Sequence, residues 1–274
     1  MQETIVIEHG RIWRHYWLDL WRYRELLQVL AWRDLSVRYK QTAIGVLWAL
    51  IRPLLFVIVF TFVFGRIANL PSEGNVPYPL LVISGLLPWT LFSAGVVDAS
   101  NSLINNSNLV TKVYFPRMIV PLATLGVALM DFLISLIVFA CMMLWYRFIP
   151  AWQIVLLPLF LFYVFVVTLG PSLLTAALTV KYRDFRYIIP FIMQLGLYVT
   201  PIAYSAKIVP SNLHLIYSLN PMVSVIQGFR WCLIDSQEPI NLASLVTGSI
   251  VTVIFLWIGI NRFRSMERDM ADLI

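Results

Sequence analysis

Six apolar stretches divide this sequence, and each is about as long as a helix that crosses a hydrocarbon core of roughly 30 Å. Hydrophobic residues make up 60% of the chain and charged residues only 12%, which is not the composition of a soluble globular domain. A helix satisfies its own backbone groups, so the pattern predicts an all-α membrane protein with six transmembrane helices in one domain over 1–274. The predicted spans are about 43–64, 78–97, 118–145, 154–180, 187–204 and 242–260.

The basic residues indicate the orientation of these spans. Lys and Arg collect before the first span and beside alternate span ends, which is typical of cytoplasmic segments, so we predict that both termini are cytoplasmic. Because the positive charges follow the spans and do not form one patch, we do not predict nucleic-acid binding. Four basic residues fall outside in this topology: Arg66, Arg147, Lys207 and Arg230.

The segment before the first span, about 12–40, has the pattern of an amphipathic helix. One side of the helix carries aromatic and apolar residues, and the other carries mostly charged residues, although Arg24 breaks the pattern. A helix rich in Trp and Arg is typical of the lipid headgroup plane, so we predict an N-terminal interfacial helix in contact with membrane lipids. The alternative is a soluble arm that docks on a partner. The predicted apolar side comprises Trp13, Tyr16, Trp17, Leu20, Leu27, Leu30 and Ala31.

Two apolar pieces after the fifth predicted span are too short to cross a bilayer. They are Leu213–Leu219 and Met222–Leu233, and they are interrupted at Pro210 and at Asn220-Pro221. Short apolar pieces between Pro residues suit helices that enter the bilayer and return, so we predict a reentrant hairpin over 205–235. The alternative is a pair of amphipathic helices on the outer surface.

The segment from Lys181 to Arg230 carries a series of short motifs. Their order and spacing resemble the membrane subunits of ABC exporters for bacterial surface polysaccharides, with the O-antigen branch most similar. The resemblance implies a homodimer with two ATPase subunits that moves lipid-linked polysaccharide from cytoplasm to periplasm across the bacterial inner membrane. The motifs are Arg183-Asp184, Pro190, Thr200-Pro201-Ile202-Ala203-Tyr204, Asn220-Pro221 and Gly228-Phe229-Arg230.

The loop between the second and third spans is the first candidate site. Its second half, Leu109–Phe115, is amphipathic and could form one or two helical turns that stop before Pro116. In the family that it resembles, this loop holds the coupling helix that contacts the ATPase; the alternative is an ordinary cytoplasmic loop. The resemblance implies an ATPase-coupling role for Asn108, Leu109, Val110, Lys112, Val113, Tyr114, Phe115, Pro116 and Arg117, and also for Arg183 and Asp184.

Two aromatic stripes form the second candidate site. Flat aromatic faces suit the C–H surfaces of a sugar chain, although helix packing and lipid contact would produce the same pattern. The resemblance implies that the first and fifth spans line the substrate pathway. The candidate channel residues are Trp48, Arg52, Phe56, Phe60 and Phe64 in the first span, and Tyr187, Phe191, Gln194 and Tyr198 in the fifth.

Asp131 is the one acidic residue deep in a predicted span. A carboxylate in the membrane either pairs with a cation or faces a cavity, which makes it a functional candidate. A protonated acid that is hydrogen-bonded to a neighbouring helix is an equal alternative.

No phosphate-binding loop, metal-ligand spacing or catalytic constellation occurs in the sequence. We therefore predict a transport subunit without a cofactor or catalytic residue of its own, which depends on a separate ATPase that binds ATP and Mg²⁺. One alternative is an exporter of a drug or small lipid in the same superfamily. Another is a membrane-embedded glycosyl- or lipid-modifying enzyme, for which only Asp98, Asp184 and Asp235 lie near span ends.

Overall fold

The computed structural model describes residues 13–40, 46–74, 76–150, 152–210, 213–234, 241–267 and 270. Within these residues every regular element is a helix, which confirms the all-α prediction. The predicted positions 12, 43–45 and 235 lie outside the described residues. In chain order the α-helices are α1 (Trp13–Arg22), α2 (Arg24–Lys40), α3 (Val46–Phe60), α4 (Tyr78–Asn105), α5 (Ser107–Lys112), α6 (Ile119–Trp145), α7 (Leu157–Lys181), α8 (Phe185–Val199), α9 (His214–Ser218), α10 (Pro221–Ile234) and α11 (Leu242–Met266).

Among the described residues, five helical segments are long and apolar enough to cross a membrane. They correspond to the first, second, third, fourth and sixth predicted spans. A π-helical turn, Thr61–Ile67, extends α3, and a 3₁₀ turn, Trp152–Leu156, precedes α7. The candidate spans are Leu47–Ile67, Tyr78–Asn105, Ile119–Trp145, Trp152–Lys181 and Leu242–Met266.

The fifth predicted span is shorter than expected. Its helix, α8, has 15 residues and ends at Val199, five residues before the predicted end of the span at Tyr204. The reason is Pro201: the residue before a proline is disfavoured in helical conformation, and Thr200 is extended. A helix of this length spans about 22 Å, less than the hydrocarbon thickness of roughly 30 Å. A sixth crossing therefore stays a prediction.

Helix α4 forms the centre of the bundle. Of its apolar span, 78% is buried, and it packs against α6 and α7. Helix α7 in turn packs against α11, and the two backbones approach closely where Gly259 faces the carbonyl of Gly170. Helices in lipid have no hydrophobic driving force for association. Small residues stabilise such crossings because they let the two backbones pack closely.

The N-terminal segment forms two consecutive helices that meet at Tyr23, directly before Arg24, the residue that breaks its amphipathic pattern. On the predicted apolar side, Leu30 is buried, while Tyr16 and Leu27 pack on the cluster that contains Phe263. That side therefore lies mainly against the protein, and not against headgroups as predicted; an interfacial position for the helix stays a prediction. The side chain of Trp13 lies outside the described residues.

The chain from Thr200 to Ser205, after α8, is mostly buried without regular helix, and Arg230 satisfies part of its backbone. The guanidinium donates to the carbonyls of Ile202 (2.9 Å) and Tyr204 (3.0 Å), and it forms an ion pair with Glu73 at 3.0 Å. Arg230 is only 2% exposed. The hydroxyl of Tyr78 donates to the carbonyl of Ala203 between them. An unpaired carbonyl in a low-dielectric interior is costly, so these two side chains permit the helix to be interrupted here.

Helix α10, which carries Arg230, is buried among α4, α7 and α11. Gly228 lies directly against the ring of Phe160, leaving no room for a Cβ atom. Asn220 begins the helix, since its side-chain oxygen accepts the N–H of Met222 (3.0 Å) and its amide donates to Thr200 (3.2 Å). Within the short motifs, Gly228 is therefore a packing residue and Asn220 is a capping residue.

We predict that Gly259→Ala destabilises the protein by about 1–3 kcal/mol, because the new Cβ would overlap the backbone carbonyl of Gly170, which cannot move aside. The matched control is Gly126→Ala, where the new Cβ would lie 3.5 Å from the Cβ of Ala31, an ordinary contact. Thermal unfolding in detergent measures both variants. Equal melting temperatures for the two would contradict the close α7–α11 crossing.

Arg230→Met is expected to destabilise the fold by about 3–5 kcal/mol, since it removes the buried cation that contacts Glu73 and the donor to two buried carbonyls. Arg262→Met is the control, because Arg262 is exposed near the end of α11. The measurement is the midpoint of thermal unfolding, and a midpoint like that of the control would refute the role given to Arg230.

Candidate functional site

The loop after α4 presents a small apolar surface on a buried anchor. Helix α5 is displaced from the predicted 109–115 and ends at Lys112, after which Val113 is extended. Val113 and Tyr114 are 51% and 71% exposed, whereas Val110 and Phe115 are buried in the cluster beneath them. Exposed aromatic and aliphatic side chains on a fixed base are suited to inserting into a partner's groove. Of the other predicted coupling residues, Asn108 and Lys112 are exposed, Leu109 and Arg117 are half-buried, and Pro116 is buried.

The second predicted coupling element is the corner between α7 and α8. Arg183 and Asp184 are exposed there, and Asp184 directly precedes the first residue of α8. The ammonium of Lys181 lies 5.2 Å from the ring of Tyr182. In the described part of the chain, no hydrogen bond or ion pair connects this corner to the loop after α4. The two elements are therefore separate candidate contacts.

The stripe predicted on the first span is present, but it is not uniformly exposed. The rings of Phe56 and Phe60 lie 6.2 Å apart, and those of Phe60 and Phe64 lie 5.4 Å apart. Phe60 is only 6% exposed, and its neighbours Phe56 and Phe64 pack against the bundle core. Trp48 and Arg52, nearer the start of α3, are exposed. Within one protomer the middle of this stripe is thus a packing surface.

Helix α8 is exposed along most of its surface. Among its described side chains only Ile189 is buried, and Tyr187, Phe191 and Tyr198 are each more than half exposed. Gln194 is also exposed. In the described residues no ring contact or hydrogen bond joins this stripe to that of α3, because α8 packs on α4 and α7 whereas α3 packs on α4 and α6. One protomer therefore does not bring the two stripes together.

Asp131 forms an ion pair with Arg38 of the N-terminal helix. The sequence analysis expected a cation or a cavity beside Asp131 but did not identify Arg38 as the cation. Arg38 contacts Asp131 at 3.0 Å and Asp98 at 3.1 Å, and the hydroxyl of Tyr39 donates to Asp131. Burial disfavours the charged guanidinium, but the two carboxylates outweigh burial and raise the pKa of Arg38, which stays charged. The signal in the sequence was a basic helix followed by a span with a carboxylate deep inside it. The network ties the end of α2 to α4 and α6.

A second network ties the start of the N-terminal helix to the end of α11. The Oε1 atom of Glu267 accepts the backbone N–H of Arg117 (2.8 Å) and the hydroxyl of Tyr16 (3.1 Å). The guanidinium of Arg117 also donates to the backbone carbonyl of Glu267, and that of Arg264 lies 4.7 Å from the ring centre of Tyr16. Burial raises the pKa of Glu267, and the hydrogen bonds from Arg117 and Tyr16 oppose that rise. Arg117 is thus a predicted coupling residue that contacts Glu267, which in turn contacts Tyr16 of α1.

In the described part of the chain, no group of three or more His, Cys, Asp or Glu side chains is placed to hold a metal ion. The features that remain are an apolar helical bundle, an anchored loop tip and two aromatic helix faces, which together define the membrane domain of a transport system. The chain belongs to the ABC-2 type transporter family of membrane proteins, whose model matches residues 25–234. It is a multi-pass membrane protein of the transport class, which argues against the membrane-enzyme alternative.

The chain is also similar to curated proteins. It is 29% identical over 259 residues to the O-antigen export system permease protein RfbA of Myxococcus xanthus, covering 93% of this chain and 98% of that one. It is 28% identical over 257 residues to two O-antigen export system permease proteins RfbA of Klebsiella pneumoniae, covering 91% of this chain and 95% of each relative. The similarity therefore extends over nearly the full length of each protein.

We expect Asp131→Asn to loosen the end of α2, because it weakens a partly buried ion pair by about 1 kcal/mol. Amide hydrogen exchange at residues 35–40 should rise several-fold. Asp19→Asn is the control, since Asp19 lies 3.8 Å from Arg22 at an exposed site on α1. Unchanged exchange at 35–40 in Asp131→Asn would show that the pair does not hold the helix.

Proposed function

We propose that this chain is the membrane-spanning subunit of an ATP-driven exporter that moves lipid-linked polysaccharide of the O-antigen type from cytoplasm to periplasm. The observation that carries the proposal is the match to three O-antigen export permeases over more than nine-tenths of the chain, within a family of ABC-2 type transporters. The cell membrane is then the bacterial inner membrane. A drug or small-lipid exporter of the same superfamily is less consistent with these relatives.

The energy source in this proposal is a pair of separate ATPase subunits that bind ATP and Mg²⁺. Their contact surface on this chain is the loop tip of Val113 and Tyr114, with the corner of Arg183 and Asp184 as a second contact. Val113 and Tyr114 are exposed while the adjacent Phe115 is buried, which supports this assignment. A force on the exposed side chains would be transmitted to the helical bundle through the packed Phe115.

The pathway in this proposal lies between two copies of the chain. The high exposure of α8 supports a homodimer, since a mostly apolar helix with one buried side chain needs a further partner or lipid around it. Tyr187, Phe191, Gln194 and Tyr198 would face the polysaccharide, together with Trp48 and Arg52. Phe60 would pack behind these pathway residues and would not contact the polysaccharide, since it is buried within the protomer.

The topology in this proposal has six crossings and two cytoplasmic termini. The fifth crossing would combine α8 with the non-helical segment that follows it, whose carbonyls are satisfied by Arg230. The burial of α10 among three spanning helices supports a reentrant hairpin and argues against helices that lie on the outer surface.

The direct test of the substrate is a deletion strain. Loss of this chain should cause undecaprenyl-linked O-antigen polysaccharide to accumulate at the cytoplasmic face, where mass spectrometry of extracted lipids can detect it. Reintroducing the gene should remove the accumulated material. A strain that exports O-antigen normally and instead retains a drug or a small lipid would favour the alternative exporter.

Replacing both Val113 and Tyr114 with Ala should weaken binding of the ATPase about tenfold or more, because the pair is the exposed apolar tip of the loop. The matched control replaces Tyr146 and Ile149, an exposed Tyr and Ile in the loop after α6, which this topology places in the periplasm. Co-purification and ATPase activity measure the effect. Equal ATPase retention by both double variants would remove the loop tip from the interface.

A further inference from the structure

The carboxylate of Glu267 connects three parts of the chain that are distant in sequence. Its Oε1 atom accepts the backbone N–H of Arg117 and the hydroxyl of Tyr16 in α1. Arg117 ends the loop after α4 (107–117), which is the proposed docking loop for the ATPase. Glu267 itself follows the last residue of α11, and its backbone N–H donates to the carbonyl of Phe263 at 2.9 Å. The loop, the N-terminal helix and the last spanning helix therefore meet at one side chain.

The geometry of this contact favours joint movement. Both hydrogen bonds end on the same oxygen atom, so a shift of the Arg117 backbone displaces the acceptor of Tyr16 unless one bond breaks. Packing reinforces the link, because Phe115 of the loop and Phe263 of α11 belong to one buried cluster.

The far end of the N-terminal helix is fixed independently. Arg38 is held by Asp98 of α4 and Asp131 of α6, about 33 Å of helix away from Tyr16 if the helix were straight. Two consecutive helices that meet at Tyr23 and are held at their outer ends can tilt when one attachment moves. A displacement of the docking loop would thus be converted into a movement of α1 relative to the spans.

We propose that Glu267 is a coupling residue that transmits movement of the ATPase-docking loop to the N-terminal helix through Tyr16. The inference rests on the proposed function, since it takes the loop that ends at Arg117 as the place where the ATPase pushes. It adds a positioning role for Glu267 and Tyr16, neither of which belongs to the exposed docking surface. A purely structural role would change stability, but not the response of α1 to nucleotide.

The test is amide hydrogen exchange on the full chain in complex with its ATPase in lipid nanodiscs, with and without ATP and vanadate. The main variant is Tyr16→Phe, which removes only the hydroxyl donor and keeps the ring beneath Arg264. The matched control is Tyr23→Phe, since Tyr23 packs on the same buried cluster and its hydroxyl makes no hydrogen bond within the described residues. Glu267→Ala and Glu267→Gln complete the set.

In the unaltered protein, vanadate trapping is expected to change exchange both in the loop at 107–117 and in α1. In Tyr16→Phe and Glu267→Ala the loop response should persist, while the α1 response falls about tenfold, the loss expected for one hydrogen bond to a carboxylate. Glu267→Gln should retain the α1 response, because its amide oxygen can accept both hydrogen bonds. Tyr23→Phe should behave as the unaltered protein does.

An α1 response that survives in Tyr16→Phe would overturn the inference, even if Glu267→Ala fails to fold. Loss of the response in Glu267→Gln as complete as in Glu267→Ala would likewise overturn the hydrogen-bonded link. So would an unaltered complex in which the loop responds and α1 does not. A different failure, in which no ATPase binds or the loop itself is unaffected by nucleotide, would count against the proposed function.

Discussion

The bilayer requires every buried backbone group to find a partner, and in this protein Arg230 meets that requirement where the helical pattern stops. Between Thr200 and Ser205 the chain is non-helical and mostly buried, so its carbonyls depend on side-chain donors. Arg230 supplies two of them from α10, Tyr78 supplies a third from α4, and Arg230 is paired with Glu73 of the loop before α4. The guanidinium reaches these carbonyls from inside the bundle, where α10 is buried.

The opposite end of the bundle is organised by carboxylates. Asp98 and Asp131 hold the end of α2, and Glu267 holds α1 together with the loop after α4. The N-terminal helix is therefore attached to the spans by charged contacts at both ends and by apolar packing between them. This is why a segment with the composition of a lipid-surface helix packs its apolar side on its own chain.

Hydropathy predicted the positions of α4, α6, α7 and α11, because partition into lipid depends on composition alone. It did not predict the end of α8, since the residues after Val199 remain apolar while Pro201 stops the helix. The exposed tip at Val113 and Tyr114 followed from family resemblance together with local amphipathicity. Arg230–Glu73, Arg38–Asp131 and Tyr16–Glu267 could not be predicted, because each joins residues that are distant in the sequence and belong to different elements.

The account depends on separating motor from membrane path: the chain provides the path, and a docked ATPase provides the work. The most direct measurement is export of lipid-linked O-antigen polysaccharide in proteoliposomes that contain the chain alone, or the chain with its ATPase subunits and either ATP or ADP. The account predicts export only when the ATPase and ATP are both present. Export by the chain alone, at a rate similar to that of the complex, would contradict it.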